Sequence, residues 1–249
     1  MSIEMRIDFI TLFPTMVEIP MRTSMIGRAA AAGRISVSTV DPRSFTTDSH
    51  RTVDDTPYGG GPGMLMKAQP VALAIDSVLE EGAAIVMTDP TGARFTQNDA
   101  IELSNKGQII FVCGHYEGID GRIAEHYATH VLSIGDFVLT NGELPALVMA
   151  DAIVRTLPGV LGSSESLAID SHADGLLSAP QFTRPEEWRG MRVPEVLLSG
   201  NHRLISQWKR RESLRITREN RPDLFATAKL TKEDLTLLQE PAVLIEKGE

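Results

Sequence analysis

The chain has a single cysteine, Cys113, so no internal disulfide can form and no thiolate cluster can hold a metal. A reducing cytoplasm is the expected location, and Cys113, inside an apolar run, reads as a small buried thiol. Long hydrophobic runs are also missing. The most apolar helix-like stretch, Leu144 to Thr156, contains Asp151 and Arg155, so it does not read as a bilayer span. The opening residues, MSIEMRIDFITLFP, carry Glu4, Arg6 and Asp8 too early for a secretory signal. Positive charge is in deficit: 24 Lys and Arg stand against 33 Asp and Glu, a net charge of -9, so only a local patch could bind nucleic acid. No G-x-G-x-x-G follows the first strand-like run. Pro57 to Met64, PYGGGPGM, lacks the Gly-Lys-Ser/Thr ending of a phosphate loop, and Lys67 falls at the wrong spacing. These absences weigh against a nucleotide-dependent oxidoreductase.

What is present is alternation. Met5 to Leu12, Arg34 to Val40, Ala84 to Thr88, Ile109 to Cys113 and His130 to Ser133 read as strands. Between them, Pro14 to Gly33, Pro70 to Glu80, Gln97 to Asn105, Ile119 to Tyr127 and Leu144 to Thr156 read as helices. Strands that alternate with helices predict an α/β domain with a mainly parallel sheet. The 249 residues, 42% of them hydrophobic, suffice for one large core plus a smaller partner. After Gly162 the texture changes. Ser163 to Ser178 is small and polar and reads as an inter-domain linker, and Gln181 to Glu249 is charge-rich and mostly helical.

Ligands of open α/β sheets sit beyond the carboxyl ends of the strands. Three of those ends share a texture: Met87, Thr88, Asp89 and Pro90; Gly114, His115, Tyr116, Glu117 and Gly118; and Ser133, Ile134, Gly135 and Phe137, with Leu139, Asn141, Gly142 and Pro145 close behind. Glycines there let backbone amides and carbonyls approach a ligand. One such loop reads equally as an ordinary tight turn. Three in succession predict a nucleotide-like pocket.

Asp170, in the polar linker, is a candidate general base if the linker folds over a substrate, and otherwise a solvated acid. His172 and Asp174 share those alternatives. Arg155 either complements the dipole of its helix or holds an anionic oxygen in the pocket. Gly200 to Arg221 carries seven basic residues against Glu212 and Glu219, a local charge of +5, interleaved with His202 and Trp208. That pattern reads as a basic amphipathic helix, either a solvated face or an RNA-backbone contact.

The motifs PYGGGPGM, CGHYEGID, SIGDFVLTNGELP, RTLPGVLG, DSHADGLL and FTRPEEWRG, in this order, resemble those of the bacterial tRNA (guanine-N1)-methyltransferases of the knotted SPOUT superfamily. The likeness runs from about Met5 to about Leu224. It implies S-adenosylmethionine as methyl donor, guanosine 37 of tRNA as target, and a homodimer with the active site at the subunit interface. It also implies a deep trefoil knot in the parallel sheet region, a feature no periodicity predicts. The expected domains are a knotted cofactor-binding domain (1–162), a linker (163–178) and a smaller helical tRNA-binding domain (179–249).

Carried over by motif, the cofactor residues are the three loops named above, with His115 excepted; Asp170 matches the general base and Arg155 the arginine that supports the target base. Asp54 and Tyr58 to Gly63 match a flap near substrate and cofactor. His115 stands where an arginine is common, Asn141 where a glycine is usual, and Ser178 where an aspartate is frequent. The resemblance also implies a use for Mg²⁺, for which the sequence offers no metal-ligand spacing. The alternative enzyme is a related methyltransferase acting on ribosomal RNA. A non-catalytic RNA-binding module would keep the basic helix and need no cofactor pocket.

Overall fold

The computed structural model describes residues 5–161 and 169–239. The chain divides into two compact units, 1–162 and 163–249. The first contains β1 (Met5–Ile10), α1 (Pro14–Met21), α2 (Ser24–Ala31), β2 (Ile35–Val40), β3 (Asp54–Asp55), β4 (Leu65–Met66), α3 (Ala68–Asp76), β5 (Ala84–Arg94), α4 (Gln97–Leu103), β6 (Gln108–Cys113), α5 (Gly121–Tyr127), β7 (His130–Ser133) and α6 (Glu143–Val154).

Five strands form one parallel sheet in the order β2-β1-β6-β5-β7. Every residue of β6 is buried, because helices cover both faces, as an all-parallel sheet requires. Side-chain alternation then sorts the strand between two cores. Ile109, Phe111 and Cys113 join Met149 and Ile153 of α6, and Phe9 stacks on Phe111 with ring centroids 5.2 Å apart. Ile110 and Val112 join Val71 and Ile75 of α3 and Ile123 of α5 on the other side.

Two expectations need correction. The helix expected from Pro14 to Gly33 is two helices, α1 and α2. The break follows Pro20, whose missing N–H weakens the last turn of α1, and Ser24 takes a φ of 55° as the chain redirects. The strand expected to stop at Thr88 runs to Arg94. Thr88 and Ala93 both pair with Leu132 of β7, so Asp89 to Gly92 bulges out of the ladder before the strand resumes. Gly92 permits this. A Cβ there would lie 2.6 Å from the backbone of Val131 and Leu132.

The second unit contains a hairpin of β8 (Glu187–Trp188) and β9 (Met191–Arg192), then α7 (Glu195–Leu198), α8 (His202–Asn220), α9 (Pro222–Thr227) and α10 (Lys232–Leu237). Its core is Leu176, Leu214 and Leu237, with Phe225 and Leu230 packed against them. Leu176 comes from the stretch read as a linker. Of that stretch, 163–168 lies outside the described residues, as do 240–249 of the helical region. No helix among the described residues is long and apolar enough to cross a membrane.

Candidate functional site

The bulge of β5 and the carboxyl ends of β6 and β7 converge on one cavity of about 350 Å³, within the size range of small-molecule sites. The first wall is the β5 bulge: Met87, Thr88, Asp89, Pro90 and Thr91. Asp89 fixes its shape by accepting from the Thr91 amide at 2.8 Å and the Thr91 hydroxyl at 2.6 Å. The second wall is Gly114 to Ile119, in which Tyr116 takes a φ of 58° and Gly118 a φ of 117°. The third wall runs from Leu132 through Ser133, Ile134, Phe137, Leu139 and Asn141 to Gly142 and Pro145. Every residue expected on the cofactor loops lines this cavity except Gly135, which turns toward the Phe137 ring. Ile119, Val138 and Thr140 also line it and carried no local signal of doing so.

Gly142 locks the three walls together. Its amide donates to the Gly114 carbonyl at 2.8 Å, and its carbonyl accepts from the Thr88 hydroxyl at 3.2 Å. Asn141 fits without a glycine: its side-chain amide reaches the Met16 sulfur at 3.6 Å. His115 is held by ring contacts, 5.0 Å from Phe13 and 4.5 Å from Tyr116 between centroids.

The flap is the loop of the β3–β4 hairpin, which pairs Asp54 with Met66 and Asp55 with Leu65. Its base is tied to the second wall. Met66 donates to the Gly118 carbonyl at 3.0 Å, and Glu117 donates to the Met64 carbonyl at 2.9 Å. The Glu117 side chain covers the α-carbon of Gly63. Tyr58, at the tip, is fully exposed.

Behind the floor, Glu143 opens α6 with no exposed surface, a favourable end of the helix for a carboxylate. The Thr11 hydroxyl donates to its Oε1 at 2.5 Å, while Oε2 has no hydrogen-bond partner among the described residues. Burial, and next the nearby Glu143, push the Cys113 thiol up, so it stays protonated.

Arg155 ends α6 and is half-buried, its amide donating to the Asp151 carbonyl at 3.1 Å. Asp170 belongs to the second unit, where it lines a groove of about 230 Å³ with Ser178, Lys209 and Arg210. Ser178 is hydrogen-bonded to the Ser171 hydroxyl. The basic stretch around α8 is partly neutralised by acids of the second unit. Arg210 binds Asp174 and Asp234, Arg215 binds Glu212 and Glu219, and Arg221 binds Asp223. Arg203, Lys209 and Arg218 remain exposed.

The walls offer backbone donors and acceptors, one carboxylate at Glu117 and another at Asp89, and an apolar rim from Phe137 to Leu139. That donor set fits a cationic nucleoside derivative. Among the described residues, no group of three or more His, Cys, Asp or Glu side chains could hold a metal ion. The family model described as tRNA (Guanine-1)-methyltransferase TrmD matches residues 5–227. A tRNA (guanine-N(1)-)-methyltransferase from Geobacter sulfurreducens is 49% identical over 247 residues, covering 98% of this chain and 100% of that protein. Those from Lacticaseibacillus paracasei and Anoxybacillus flavithermus are 51% and 48% identical over 239 residues, each covering 95% of this chain and 93% and 98% of their own lengths. The chain belongs to the tRNA (guanine-1)-methyltransferase family.

Proposed function

We propose that this protein transfers a methyl group from S-adenosylmethionine to N1 of guanosine 37 in tRNA. The observation that carries the reading is the meeting of three backbone-lined walls at Gly142, which makes one cavity out of three separate strand ends. When bound, S-adenosylmethionine supplies an electrophilic methyl group on a positive sulfur. The loops of the three walls would hold its purine through their backbone groups, and Glu117 and Asp89 are the carboxylates available to its positive charge. Guanine N1 is protonated at neutral pH and is a poor nucleophile. Asp170 accepts that proton, and the Arg155 guanidinium stabilises the charge that spreads to O6. General base catalysis of this kind contributes about 10²–10⁴-fold, and alignment of donor and acceptor adds several kcal/mol, up to about 7–11.

The working unit in this reading is a homodimer, with the active site at the subunit interface. Phe137, Val138, Leu139, Leu144 and Val148 support it, because all are large apolar residues left at least a third exposed on one continuous segment. The knot proposed for this sheet is supported by the family match over residues 5–227. The second unit serves as the tRNA-binding domain, and the protein acts in the cytoplasm on tRNA.

The test is a methylation assay on tRNA transcripts with guanosine or another base at position 37, with mapping of the modified atom. N1-methylguanosine at 37 alone, dependent on S-adenosylmethionine, is expected. Methylation at another atom, or of ribosomal RNA in preference, would overturn the reading.

A further inference from the structure

We propose that Arg210, acting through Asp174, is a positioning residue that mounts Asp170 for proton abstraction. The inference rests on the assignment of Asp170 as the base and names what holds it in place.

Arg210 has every nitrogen committed. Nε donates to Asp234 Oδ1 at 2.7 Å and Nη2 to Asp234 Oδ2 at 3.0 Å, a two-pronged pairing of high geometric specificity. Asp234 is itself immobile. It is 2% exposed, and its carboxylate and amide form a capping box with Thr231 at the start of α10. The remaining prong, Nη1, donates to Asp174 Oδ2. A basic residue of a stretch read as either a solvated face or an RNA-backbone contact is therefore spent on a brace between α8, α10 and the Asp170 loop.

The loop from Asp170 to Ser178 is fastened at several further points. The Ala173 amide donates to the Asp170 carbonyl at 3.2 Å, and the His172 amide donates to the Leu176 carbonyl at 2.7 Å. Asp174 Oδ1 accepts from the Leu176 amide at 3.2 Å. The Leu177 amide donates to the Thr217 hydroxyl at 2.8 Å, and its carbonyl accepts from the Ser213 hydroxyl at 2.6 Å. Leu176 fills the core between Leu214 and Leu237. Asp174 sits at the turn of this loop, four residues past Asp170 in the sequence, and both carboxylates line one groove with Arg210.

The geometry gives the brace a kinetic consequence. A base must lie within hydrogen-bond reach of the proton it removes, and a misplacement of about 1 Å can cost about 10²-fold. Losing the Asp174 prong frees the turn of the loop while Leu176 still anchors it, so Asp170 wanders without the unit unfolding.

Arg210→Met would strand Asp234 in a buried position and risks unfolding, so the working variants are at Asp174, whose side chain is 54% exposed. Asp174→Ala, Asp174→Asn and Asp170→Asn are made in the full chain. Each is measured for single-turnover methylation of a guanosine-37 tRNA transcript, tRNA affinity by filter binding, S-adenosylmethionine affinity by calorimetry, and amide exchange at Leu177, whose acceptor Thr217 is untouched. Asp174→Ala is expected to lose about 10- to 100-fold in single-turnover rate, with both affinities unchanged and faster exchange at Leu177. Asp174→Asn, which keeps an oxygen for Arg210, recovers part of the rate. Asp170→Asn without activity beside Asp174→Ala at the full rate overturns the brace alone. Asp170→Asn at the full rate overturns the base assignment, and the brace's catalytic role with it. A rate loss in Asp174→Ala matched by an equal loss of tRNA affinity also overturns the proposal, because it marks a binding or folding defect.

Discussion

Thr88 and Gly142 meet across the floor of the cavity with no space for a methyl group between them. The Thr88 hydroxyl donates to the Gly142 carbonyl at 3.2 Å, and a Cβ on Gly142 would lie 2.3 Å from that hydroxyl oxygen and 2.7 Å from the Gly114 amide nitrogen. Gly142 has a φ of -84°, so its need for glycine is one of close approach and not of backbone hand. Gly142→Ala must push the third wall off the other two, an overpacking change that costs about 1–3 kcal/mol. The expected outcome is loss of S-adenosylmethionine binding by calorimetry with a lowered melting temperature. Normal affinity in Gly142→Ala would mean that the three walls do not act as one site.

The buried pair behind that floor makes a second prediction. Thr11 and Glu143 are both fully buried, and the Thr11 hydroxyl is the donor to Glu143 Oε1. Thr11→Val keeps the shape and removes that donor, together with the acceptor of the Phe13 amide at 2.9 Å, leaving a buried carboxylate with neither oxygen bonded among the described residues. The cost is the desolvation of a charged group, about 3 kcal/mol or more. Glu143→Gln removes the charge and keeps an oxygen for Thr11, so it should cost clearly less. Urea unfolding of the two variants measures the difference; equal destabilisation would refute the burial argument.

These two sites mark where sequence reading succeeds and stops. Ile109 to Cys113 showed a buried strand because its apolar run is continuous, and the glycines after each strand showed where backbone would approach a ligand. Such features are local. The β5 bulge was not legible, because it exists only in the pairing of Thr88 and Ala93 with the same Leu132. Glu143 drew no reading of its own, since nothing near it in the sequence announces Thr11, 132 residues away. The charge of +5 from Gly200 to Arg221 was a correct count with an incomplete meaning. Asp234 neutralises Arg210 from 24 residues downstream. The polar texture of Ser171 to Ser178 concealed Leu176, a single side chain that fastens the stretch to the second unit's core.

The Arg210–Asp234 pairing sets an acid limit on the second unit. Hydrogen bonding from Arg210 is the main cause that holds the Asp234 carboxyl down, from an ordinary 3.8 to about 2. A carboxyl whose value is lower in the folded state stabilises the fold above its unfolded value. The stabilisation is therefore fully present above about pH 4 and is lost as the pH falls toward about 2. Its size is on the order of 2 kcal/mol, from about 1.4 kcal/mol for each unit of displacement. Both tryptophans, Trp188 and Trp208, lie in the second unit, so tryptophan fluorescence follows its urea unfolding selectively. The wild-type midpoint should fall more steeply between pH 4 and pH 2 than that of Asp234→Asn, which has no carboxyl to titrate at that position. Parallel curves for the two proteins would show that the pair contributes no such dependence.

The split along α8 leads to the last prediction. Arg203, Lys209 and Arg218 are exposed, whereas Arg215 donates to Glu212 at 2.9 Å and to Glu219 at 2.7 Å. Only a cation free to neutralise a phosphate releases counterions on binding, so the two groups should differ in salt dependence more than in bare affinity. Removing one phosphate-binding cation should reduce the slope of log affinity against log salt by about 0.7–0.9. Lys209→Ala with Arg218→Ala should therefore flatten the salt dependence of tRNA binding in a filter assay across a potassium chloride series, with the melting temperature unchanged. Arg215→Ala should do the opposite. It leaves Glu212, 4% exposed, without its closest cation, so it destabilises the unit while the salt slope holds. An unchanged slope in the double variant would move the RNA-binding surface off this helix, because no other property of Lys209 and Arg218 predicts a change in the slope without a change in stability.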